Sequence, residues 1–518
     1  MRAAILLFVF LSSLVSAQSK HEPAAKQLSQ TSAETRTSAR MEAVRNQPPA
    51  LRAFLVDMPK GGDLHNHLSG SIYAENYILW AAQGRLCVDK ASLAYVVCKD
   101  ESELKPEQRM QRLASDALTD TTLYRELIDA FSMRNHSPAR KPGEYQFFDA
   151  FNKFGLATNG NTGAMLAEVA HRAALQNEHY VETMFGMDGG IPWQLANQTP
   201  WIGDSAEDMA KYRQQLLDAG LLRANDAGRQ MLDQAEADMR SRLKCGTAQA
   251  DAGCTVTIRY IFQVLRAFPK NMIFAQIAAG SEMCKVDKRV VALNLVQPED
   301  WLIPMHDYDL HMRMLEMLHT ISPGVNITLH AGELTFGQVP PEELGRHIKK
   351  AIEVGHAQRI GHGTDVMYSP DPAAMLKEMV EKHVAVEISF SSSDGILGLR
   401  GATHPFRQYM KAGVPVAIAT DDEGVARSDI THEYQRAAEE QGATYAELKR
   451  ISRNSAEYSF LPGASLWADA ATFKMNAACA SSSFAKLSPK CEEFLKTSEK
   501  ATHEWQLEKE FAEFEGRP

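Results

Sequence analysis

Short apolar and β-branched runs recur along this 518-residue chain, and helical patterns separate the later ones. In one connection, for example, apolar residues recur at every fourth position at Leu344, Ile348 and Ile352. The first run ends in DLHNH, and the others lie at 180–185, 255–264, 290–296, 326–332, 359–363, 384–390 and 415–420. Near-continuous apolar strands that alternate with helices are typical of a parallel sheet with both faces covered.

Eight such strands predict an α/β protein with a closed (β/α)8 TIM barrel. An open doubly wound sheet is the alternative, but no G-x-G-x-x-G sequence follows the first strand. We place the barrel at 57–465, with an insertion at about 85–145 after strand one and a second at about 190–250. The remaining parts are an N-terminal arm at 18–56 and a C-terminal extension at 466–518.

The first seventeen residues have the pattern of a secretory signal peptide. Arg2 precedes an apolar run from Ala3 to Phe10, and small residues stand just before Gln18. A buried N-terminal helix is the alternative interpretation. No later stretch is apolar and long enough to span a bilayer, so we expect a secreted or periplasmic protein without a membrane partner.

Cysteine spacing and net charge agree with an exported protein that does not bind nucleic acid. Six of the seven cysteines form sequence-local pairs, which favours three disulfides: Cys87 with Cys98, Cys245 with Cys254, and Cys479 with Cys491, leaving Cys284 alone. Zinc binding by cysteine is the weaker alternative, because no C-x-x-C spacing occurs. The formal net charge of −10 and the absence of a basic run argue against a nucleic-acid partner.

Titratable residues end four of the eight predicted strands, at the rim where a barrel enzyme carries its site. These residues are His65 and His67, His330 and Glu333, His362, and Asp421 and Asp422. Two histidines at i and i+2 lie on one face of a strand and can reach one metal ion. Three imidazoles and one carboxylate favour Zn²⁺, with iron or manganese as alternatives.

Each of these residues also has a structural interpretation when it is taken alone. Glu333 could pair with His330 at a helix start, and His362 between two glycines could be a packed core imidazole. The tandem Asp421-Asp422 could cap the following helix. Together on one rim, the residues predict a metal site. For the other histidines, including His356, His383, His404 and His432, we favour a structural role.

Four motifs in this order resemble the metal-dependent adenosine deaminases of the amidohydrolase superfamily. They are MPKGGDLHNHLSGS (58–71), TLHAGE (328–333), RIGHG (359–363) and ATDD (419–422). The signal-peptide pattern, the first insertion with its cysteine pair and the MPKGG opening most resemble the secreted adenosine deaminase growth-factor branch.

The resemblance implies one zinc ion per subunit, held by His65, His67, His330 and Asp421. It further implies that His362 orients and deprotonates the attacking water, Glu333 protonates N1, and Asp422 directs the water and binds N7. The reaction would convert adenosine or 2′-deoxyadenosine to inosine or 2′-deoxyinosine with release of ammonia. The partner is thus a small-molecule nucleoside. Residues 18–50 also resemble in position a segment that dimerises the secreted branch, which makes a homodimer a hypothesis.

Four departures from the family pattern lie in regions expected to face the substrate. Ser69 stands where many relatives have Asp near the ribose, and Gln297 stands where a glycine amide approaches purine N3. The side chain of Gln297 could crowd the pocket, or the residue could still donate its own N–H. Segment 389–395 and Glu423 also differ, the latter from a frequent Pro. Substrate contacts are expected at Ser69, Gln297 and Asp422.

Four further interpretations compete with adenosine deamination. A deaminase of another aminated purine or modified adenine nucleoside would use the same metal ligands. A non-catalytic extracellular growth-factor-like protein would have no physical need for Glu333 and His362. A metal-dependent phosphoesterase would need more basic residues at the rim than Arg359 and Arg400, and a structural zinc site would be closed and rich in cysteine.

Overall fold

The computed structural model describes residues 32–99 and 111–517. The predicted signal peptide at 1–17 and the start of the arm lie outside the described residues. The strands in chain order are β1 (Gly61–His67), β2 (Cys87–Asp89), β3 (Tyr95–Val96), β4 (Gln111–Leu113), β5 (Glu178–Phe185), β6 (Thr257–Leu265), β7 (Val290–Val296), β8 (Asn326–Ala331), β9 (Arg359–His362), β10 (Ala385–Ile388), β11 (Val416–Ile418), β12 (Trp467–Asp469) and β13 (Lys474–Met475).

The α-helices of the described residues surround these strands or extend from them. They are α1 (Ser32–Val44), α2 (Pro48–Asp57), α3 (Ala74–Gln83), α4 (Thr121–Ala130), α5 (Gly143–Phe154), α6 (Thr162–Leu175), α7 (Ile191–Gln198), α8 (Ala206–Asp218), α9 (Arg223–Arg242), α10 (Lys270–Val286), α11 (Leu302–His306), α12 (Tyr308–Ile321), α13 (His347–Glu353), α14 (Pro372–Glu381), α15 (Phe390–Leu397), α16 (Phe406–Ala412), α17 (Glu423–Ala426), α18 (Ile430–Gln441), α19 (Tyr445–Glu457), α20 (Pro489–Thr497) and α21 (Glu499–Glu515).

Eight parallel strands form the barrel in the order β1-β5-β6-β7-β8-β9-β10-β11. Each predicted apolar run forms one of these strands, which confirms the (β/α)8 fold. The first and last strands meet at their carboxyl ends, where the His67 N–H donates to the Asp421 carbonyl (3.1 Å) and the Asp421 N–H donates to the His65 carbonyl (2.8 Å). Predicted site residues therefore also close the barrel.

The segment between β1 and β5 begins with a small antiparallel sheet of order β3-β2-β4 and continues into α4 and α5. Helix α5 returns to the barrel and packs against α15 and α17, which follow the last two barrel strands. Between β5 and β6 lie α7, α8 and α9. Across these insertions, β1, β5 and β6 remain neighbours in the barrel sheet.

All three predicted disulfides are present, namely Cys87–Cys98, Cys245–Cys254 and Cys479–Cys491. Cys284 is the free cysteine of the described residues. The third disulfide is fully buried in a separate apolar cluster that also contains Leu466 and Trp505. The C-terminal extension therefore has a small core of its own.

The described part of the N-terminal arm lies against its own chain. Helix α1 packs on α19 and α21, and α2 packs on α18. The buried Lys60 ammonium donates to the carbonyls of Leu55 (2.5 Å) and Met58 (2.9 Å) at the end of α2 and to that of Gln176 (2.7 Å). Homodimer formation through the arm stays a prediction. Within residues 32–99 and 111–517, no helix combines the length and apolarity needed to cross a membrane.

Candidate active site

Four side chains converge at the carboxyl ends of the barrel strands: His65, His67, His330 and Asp421. One donor atom from each lies within 4.8 Å of all the others. The Nε2 atom of His330 is 3.1 Å from the Nε2 atoms of both His65 and His67. Asp421 Oδ1 lies 3.5 Å from Nε2 of His65 and 3.3 Å from Nε2 of His67. The structure thus brings together the four residues that the resemblance implied as ligands.

Neighbouring acceptors determine which nitrogen of two of these histidines faces the cluster. His65 donates from Nδ1 to Glu387 Oε2 (2.7 Å), and His330 donates from Nδ1 to Asn294 Oδ1 (2.9 Å). In the neutral imidazoles both Nε2 atoms carry the lone pair, and at 3.1 Å from each other they can bind a cation that lies between them. Separations of 3.1 to 3.5 Å also suit ligands of one small cation, because Zn–N distances are about 2.0–2.1 Å. The donor set fits a divalent metal ion.

Asp421 is held in an unusual conformation by the barrel closure. Its φ of 56° lies in the left-handed region, and its Oδ2 accepts a hydrogen bond from Ser392 Oγ (2.6 Å). Burial raises the pKa of the Asp421 carboxyl, but the hydrogen bond to His65 and the neighbouring imidazoles outweigh burial and lower it overall. Oδ1 is therefore an ionised oxygen directed at the histidines.

Glu333 and His362 lie beside this cluster, with 3.6 Å between Glu333 Oε1 and His362 Nδ1. Burial, assisted by the charges of Asp421 and Glu299, raises the pKa of Glu333 well above its usual range. Burial also lowers the pKa of His362 to about 4. These shifts favour a protonated Glu333 carboxyl and a neutral His362 imidazole.

The ring nitrogens of His362 are both buried and have no hydrogen-bond partner within the described residues. Its φ of 69° is also in the left-handed region, a strain that clusters at functional positions. A packed core imidazole would have its nitrogens hydrogen-bonded. The core interpretation of His362 is therefore disfavoured, and its nitrogens are available to a bound water or substrate.

Asp422 occupies the N-cap position of α17, but its side chain makes no capping hydrogen bond. Its Oδ1 atom is buried without a partner among the described residues. Gly70 packs directly on this carboxylate, since a Cβ added there would lie 1.5 Å from Oδ1. The helix-cap interpretation of Asp422 is therefore wrong, and the close approach requires glycine at position 70.

Gln297 has a φ of 87°, a conformation that favours glycine. Its carbonyl accepts a hydrogen bond from Arg266 Nε (2.9 Å), and its Oε1 accepts one from the Ala267 N–H (2.9 Å). The side chain is thus held against the loop after β6. Ser69 is half-buried, and its carbonyl accepts a hydrogen bond from the Tyr77 hydroxyl (2.6 Å). Substrate contacts by either residue remain predictions.

Two of the four departures from the family pattern include a residue that contacts other protein groups around the site. Ser392, in segment 389–395, hydrogen-bonds Asp421 of the proposed metal cluster. Glu423 is buried and pairs with Arg172 of α6, with 3.0 Å between Oε1 and Nη2. Ser392 and Glu423 thus have partners within the protein, and substrate contacts by the rest of segment 389–395 stay a prediction.

Several supporting residues were missed in the sequence analysis. Asn294 and Glu387 are polar residues inside the buried strands β7 and β10, and burial of such groups is costly without partners. A polar residue within an apolar run could therefore have predicted a supporting role for both Asn294 and Glu387. Glu299 accepts hydrogen bonds from the backbone N–H groups of Gly332 (3.1 Å) and Glu333 (2.7 Å). The sequence carries no comparable signal for Glu299.

The histidines assigned structural roles lie outside the two candidate metal clusters found among the described residues. The Phe406 N–H donates to Nδ1 of the buried His404 (3.2 Å), and His432 Nδ1 lies 3.1 Å from Ser428 Oγ. His356 and His383 each have a φ of 55°. These contacts are consistent with packing and turn formation.

Comparison with known proteins supports the resemblance seen in the motifs. Residues 223–466 match the adenosine deaminase family model. Adenosine deaminase of Xenopus tropicalis is 32% identical over 185 residues, which cover 35% of this chain and 48% of the relative. Adenosine deaminase of Vibrio atlanticus (strain LGP32) is 29% identical over 218 residues, which cover 42% of this chain and 59% of the relative. The chain thus spans about half the length of these curated relatives.

A solved ADAL–IMP complex shares the fold, with a TM-score of 0.50 and 17% identity over 79% of this chain and 94% of that chain. The matched family segment contains His330, Glu333, His362, Asp421 and Asp422. Through this segment, the chain is similar to the adenosine deaminase family.

Proposed function

We propose that this protein is a zinc-dependent hydrolase that converts adenosine and 2′-deoxyadenosine to inosine and 2′-deoxyinosine with release of ammonia. The observation that carries the proposal is the pair formed by Glu333 and His362 beside four convergent metal-ligand side chains. A protonated carboxyl and a free neutral imidazole supply the acid and the base of a hydrolytic deamination. A non-catalytic binding protein would need neither group.

His65, His67, His330 and Asp421 would hold one Zn²⁺ per chain. When bound, zinc acts as a Lewis acid and lowers the pKa of a coordinated water toward about 7. His65 and His330 are already oriented for this role, because their Nδ1 atoms donate to Glu387 and Asn294. The ionised Asp421 carboxylate offsets part of the cation's charge.

The other residues handle protons and orientation. His362 accepts a proton from the attacking water at one of its unpartnered ring nitrogens. Glu333 donates a proton to the ring nitrogen beside the amino-bearing carbon, which makes that carbon more electron-poor. Asp422 Oδ1 accepts a hydrogen bond from the water or from a protonated group of the purine. Addition of water and loss of the amino group as ammonia complete the exchange.

A deaminase of another aminated purine or modified adenine nucleoside is the second candidate. It is favoured by Ser69, because serine offers the sugar no carboxylate at a position where relatives often have Asp. The location of the protein is proposed to be secreted or periplasmic. Three disulfides suit an oxidising compartment, and N-terminal sequencing of the exported protein would test cleavage after residue 17. Light scattering tests the homodimer, which a monomeric mass would reject.

The central experiment measures ammonia release from adenosine, 2′-deoxyadenosine, AMP, adenine and cytidine. Glu333→Gln and a chelator-treated sample are the negative controls. Glu353→Gln, on the exposed side of α13, is the matched charge-neutralising control and should retain full activity. Release from adenosine that is lost in both negative controls supports the proposal. Bound zinc without release from any adenine nucleoside would contradict adenosine deamination and direct attention to other aminated rings.

A further inference from the structure

A buried contact between an arginine and a glutamate connects the residue after the tandem aspartates to a helix on the outside of the barrel. Glu423, the first residue of α17, is 5% exposed. Its Oε1 accepts a hydrogen bond from Nε of Arg172 (3.0 Å) and lies 3.0 Å from Nη2 of the same side chain. Arg172 lies in α6, 251 positions earlier in the chain. The pair therefore links α6 to the loop that carries Asp421 and Asp422.

The same guanidinium also holds the loop that follows β1. Arg172 Nη2 donates to the Ser71 carbonyl (2.6 Å), and Nη1 donates to Glu168 Oε1 (3.0 Å). The guanidinium carbon lies 4.6 Å from the ring centroid of Tyr73. The Tyr73 hydroxyl donates to the Ser428 carbonyl (2.6 Å), which adds a second link to the region after α17. Arg172 thus joins the loop after β1 to the loop after β11.

These two loops meet at Gly70 and Asp422. The Val425 N–H donates to the Gly70 carbonyl (3.0 Å), and Gly70 leaves no room for a Cβ beside the Asp422 carboxylate. Gly424 also packs closely on the other loop, since an added Cβ would lie 2.2 Å from the Ile72 carbonyl oxygen. Asp422 Oδ1 has no hydrogen-bond partner in the described chain. Its position is therefore set by how closely the two loops approach.

We propose that Arg172 and Glu423 are positioning residues that fix the Asp422 carboxylate by clamping the loops after β1 and β11. Neither side chain belongs to the four-donor cluster, so the pair acts through Asp422. Charge-assisted hydrogen bonds from one guanidinium to several acceptors give such a clamp directional rigidity. Proline at position 423 could not form the pair. The inference rests on the proposed function, because it assigns Asp422 a place beside the reacting atoms.

The test compares Glu423→Gln with Glu508→Gln. Glu508 forms a slightly more exposed pair with Arg453 between α19 and α21, away from the site, through two hydrogen bonds (2.6 and 2.7 Å). Both variants lose a buried charge pair, and both should lower Tm. We expect Glu423→Gln to lower kcat/KM for adenosine by about tenfold, mostly through kcat, because small displacements of positioning groups cost up to about 100-fold. Zinc content should equal that of the wild type, and Glu508→Gln should keep kcat/KM within about twofold.

Equal kcat/KM for the two variants would overturn the proposal. If Glu423→Gln does not fold, Arg172→Lys is used under the same criterion, because lysine keeps the charge but cannot bridge the same acceptors. Crystal structures of the wild type and the variant give a readout that does not depend on activity. We expect the Asp422 carboxylate to move by more than about 0.5 Å, the tolerance of a productive site, and an unmoved carboxylate would refute the clamp. Absence of deamination by the wild type would instead reject the proposed function.

Discussion

The Nδ1 atom of His65 donates to Oε2 of Glu387 across 2.7 Å in the interior of the barrel. Glu387 also accepts hydrogen bonds from Arg359 Nε (2.5 Å) and Thr328 Oγ1 (3.1 Å). Burial raises the pKa of Glu387, but Arg359 and His65 outweigh burial and lower it overall. An ionised carboxylate thus fixes the tautomer of His65 and directs its Nε2 atom at His330.

We expect Glu387→Gln to weaken zinc binding by about 10- to 100-fold, the usual effect of losing a partner of a metal-binding histidine. The neutral amide accepts less strongly from His65 and no longer favours the required tautomer. Zinc affinity is measured by competition with a chromophoric chelator. The matched control is Glu182→Gln, which removes the other carboxylate bound to Arg359 (2.6 Å). An equal loss of affinity in both variants would attribute the effect to Arg359 instead of His65.

Glu299 supports the proposed acid through the backbone. Its Oε2 accepts the Glu333 N–H (2.7 Å), and its Oε1 accepts from His347 Nδ1 (2.6 Å). We expect Glu299→Gln to lower kcat by about 10- to 100-fold, since the turn that carries Glu333 loses a charged acceptor. Zinc content should be unchanged.

Steady-state kinetics with metal analysis check this result. His347→Phe is the companion variant, because phenylalanine can keep the stacking on Tyr308 (ring centroids 3.7 Å apart) while it removes the hydrogen bond to Glu299. A smaller loss of kcat is expected there, since both backbone N–H groups keep their acceptor. Full activity of Glu299→Gln would show that the turn holds Glu333 without the carboxylate.

The sequence predicted the parts of this molecule that depend on local pattern. Apolar runs located the eight barrel strands. The carboxyl ends of parallel strands lie at one end of a barrel, which predicted that His65, His330, His362 and Asp421 lie together. The contacts of Glu423 could not be predicted this way. Arg172 is 251 positions away, and only packing of α6 against the barrel brings it to α17. The same holds for Ser392 and Asp421, which are 29 positions apart.

Gln297 also shows the limit of a sequence pattern. From the sequence, its side chain could crowd the substrate pocket, or the residue could still donate its own N–H to the substrate. The hydrogen bond from the Ala267 N–H to Gln297 Oε1 draws the side chain toward the loop after β6. We therefore expect Gln297→Gly to keep KM for adenosine within about twofold. Relief of left-handed strain, about 1–2 kcal/mol, should roughly offset the lost hydrogen bond, about 1 kcal/mol.

Kinetics and urea denaturation measure the two effects of Gln297→Gly. Gln297→Val is the contrasting variant, since a β-branched residue at a φ of 87° should lower the free energy of unfolding by more than about 1 kcal/mol. A large fall of KM in the glycine variant would mean that the glutamine side chain does crowd the pocket.

The buried disulfide Cys479–Cys491 stabilises the small apolar cluster of the C-terminal extension rather than the barrel. We expect the double variant Cys479→Ser/Cys491→Ser to destabilise this cluster by roughly 3 kcal/mol, because the disulfide spans 12 positions and restricts the unfolded chain of a unit with few core residues. Limited proteolysis should then cleave first within the extension, while ammonia release from adenosine stays near the wild-type rate.

Cys284→Ala is the control for loss of a thiol and should leave the cleavage pattern unchanged, since that cysteine forms no disulfide. Simultaneous loss of activity and of the extension in the double variant would show instead that barrel and extension unfold as one unit. That outcome would attribute to α21, which packs on α19 and β1, a role in holding the barrel closed.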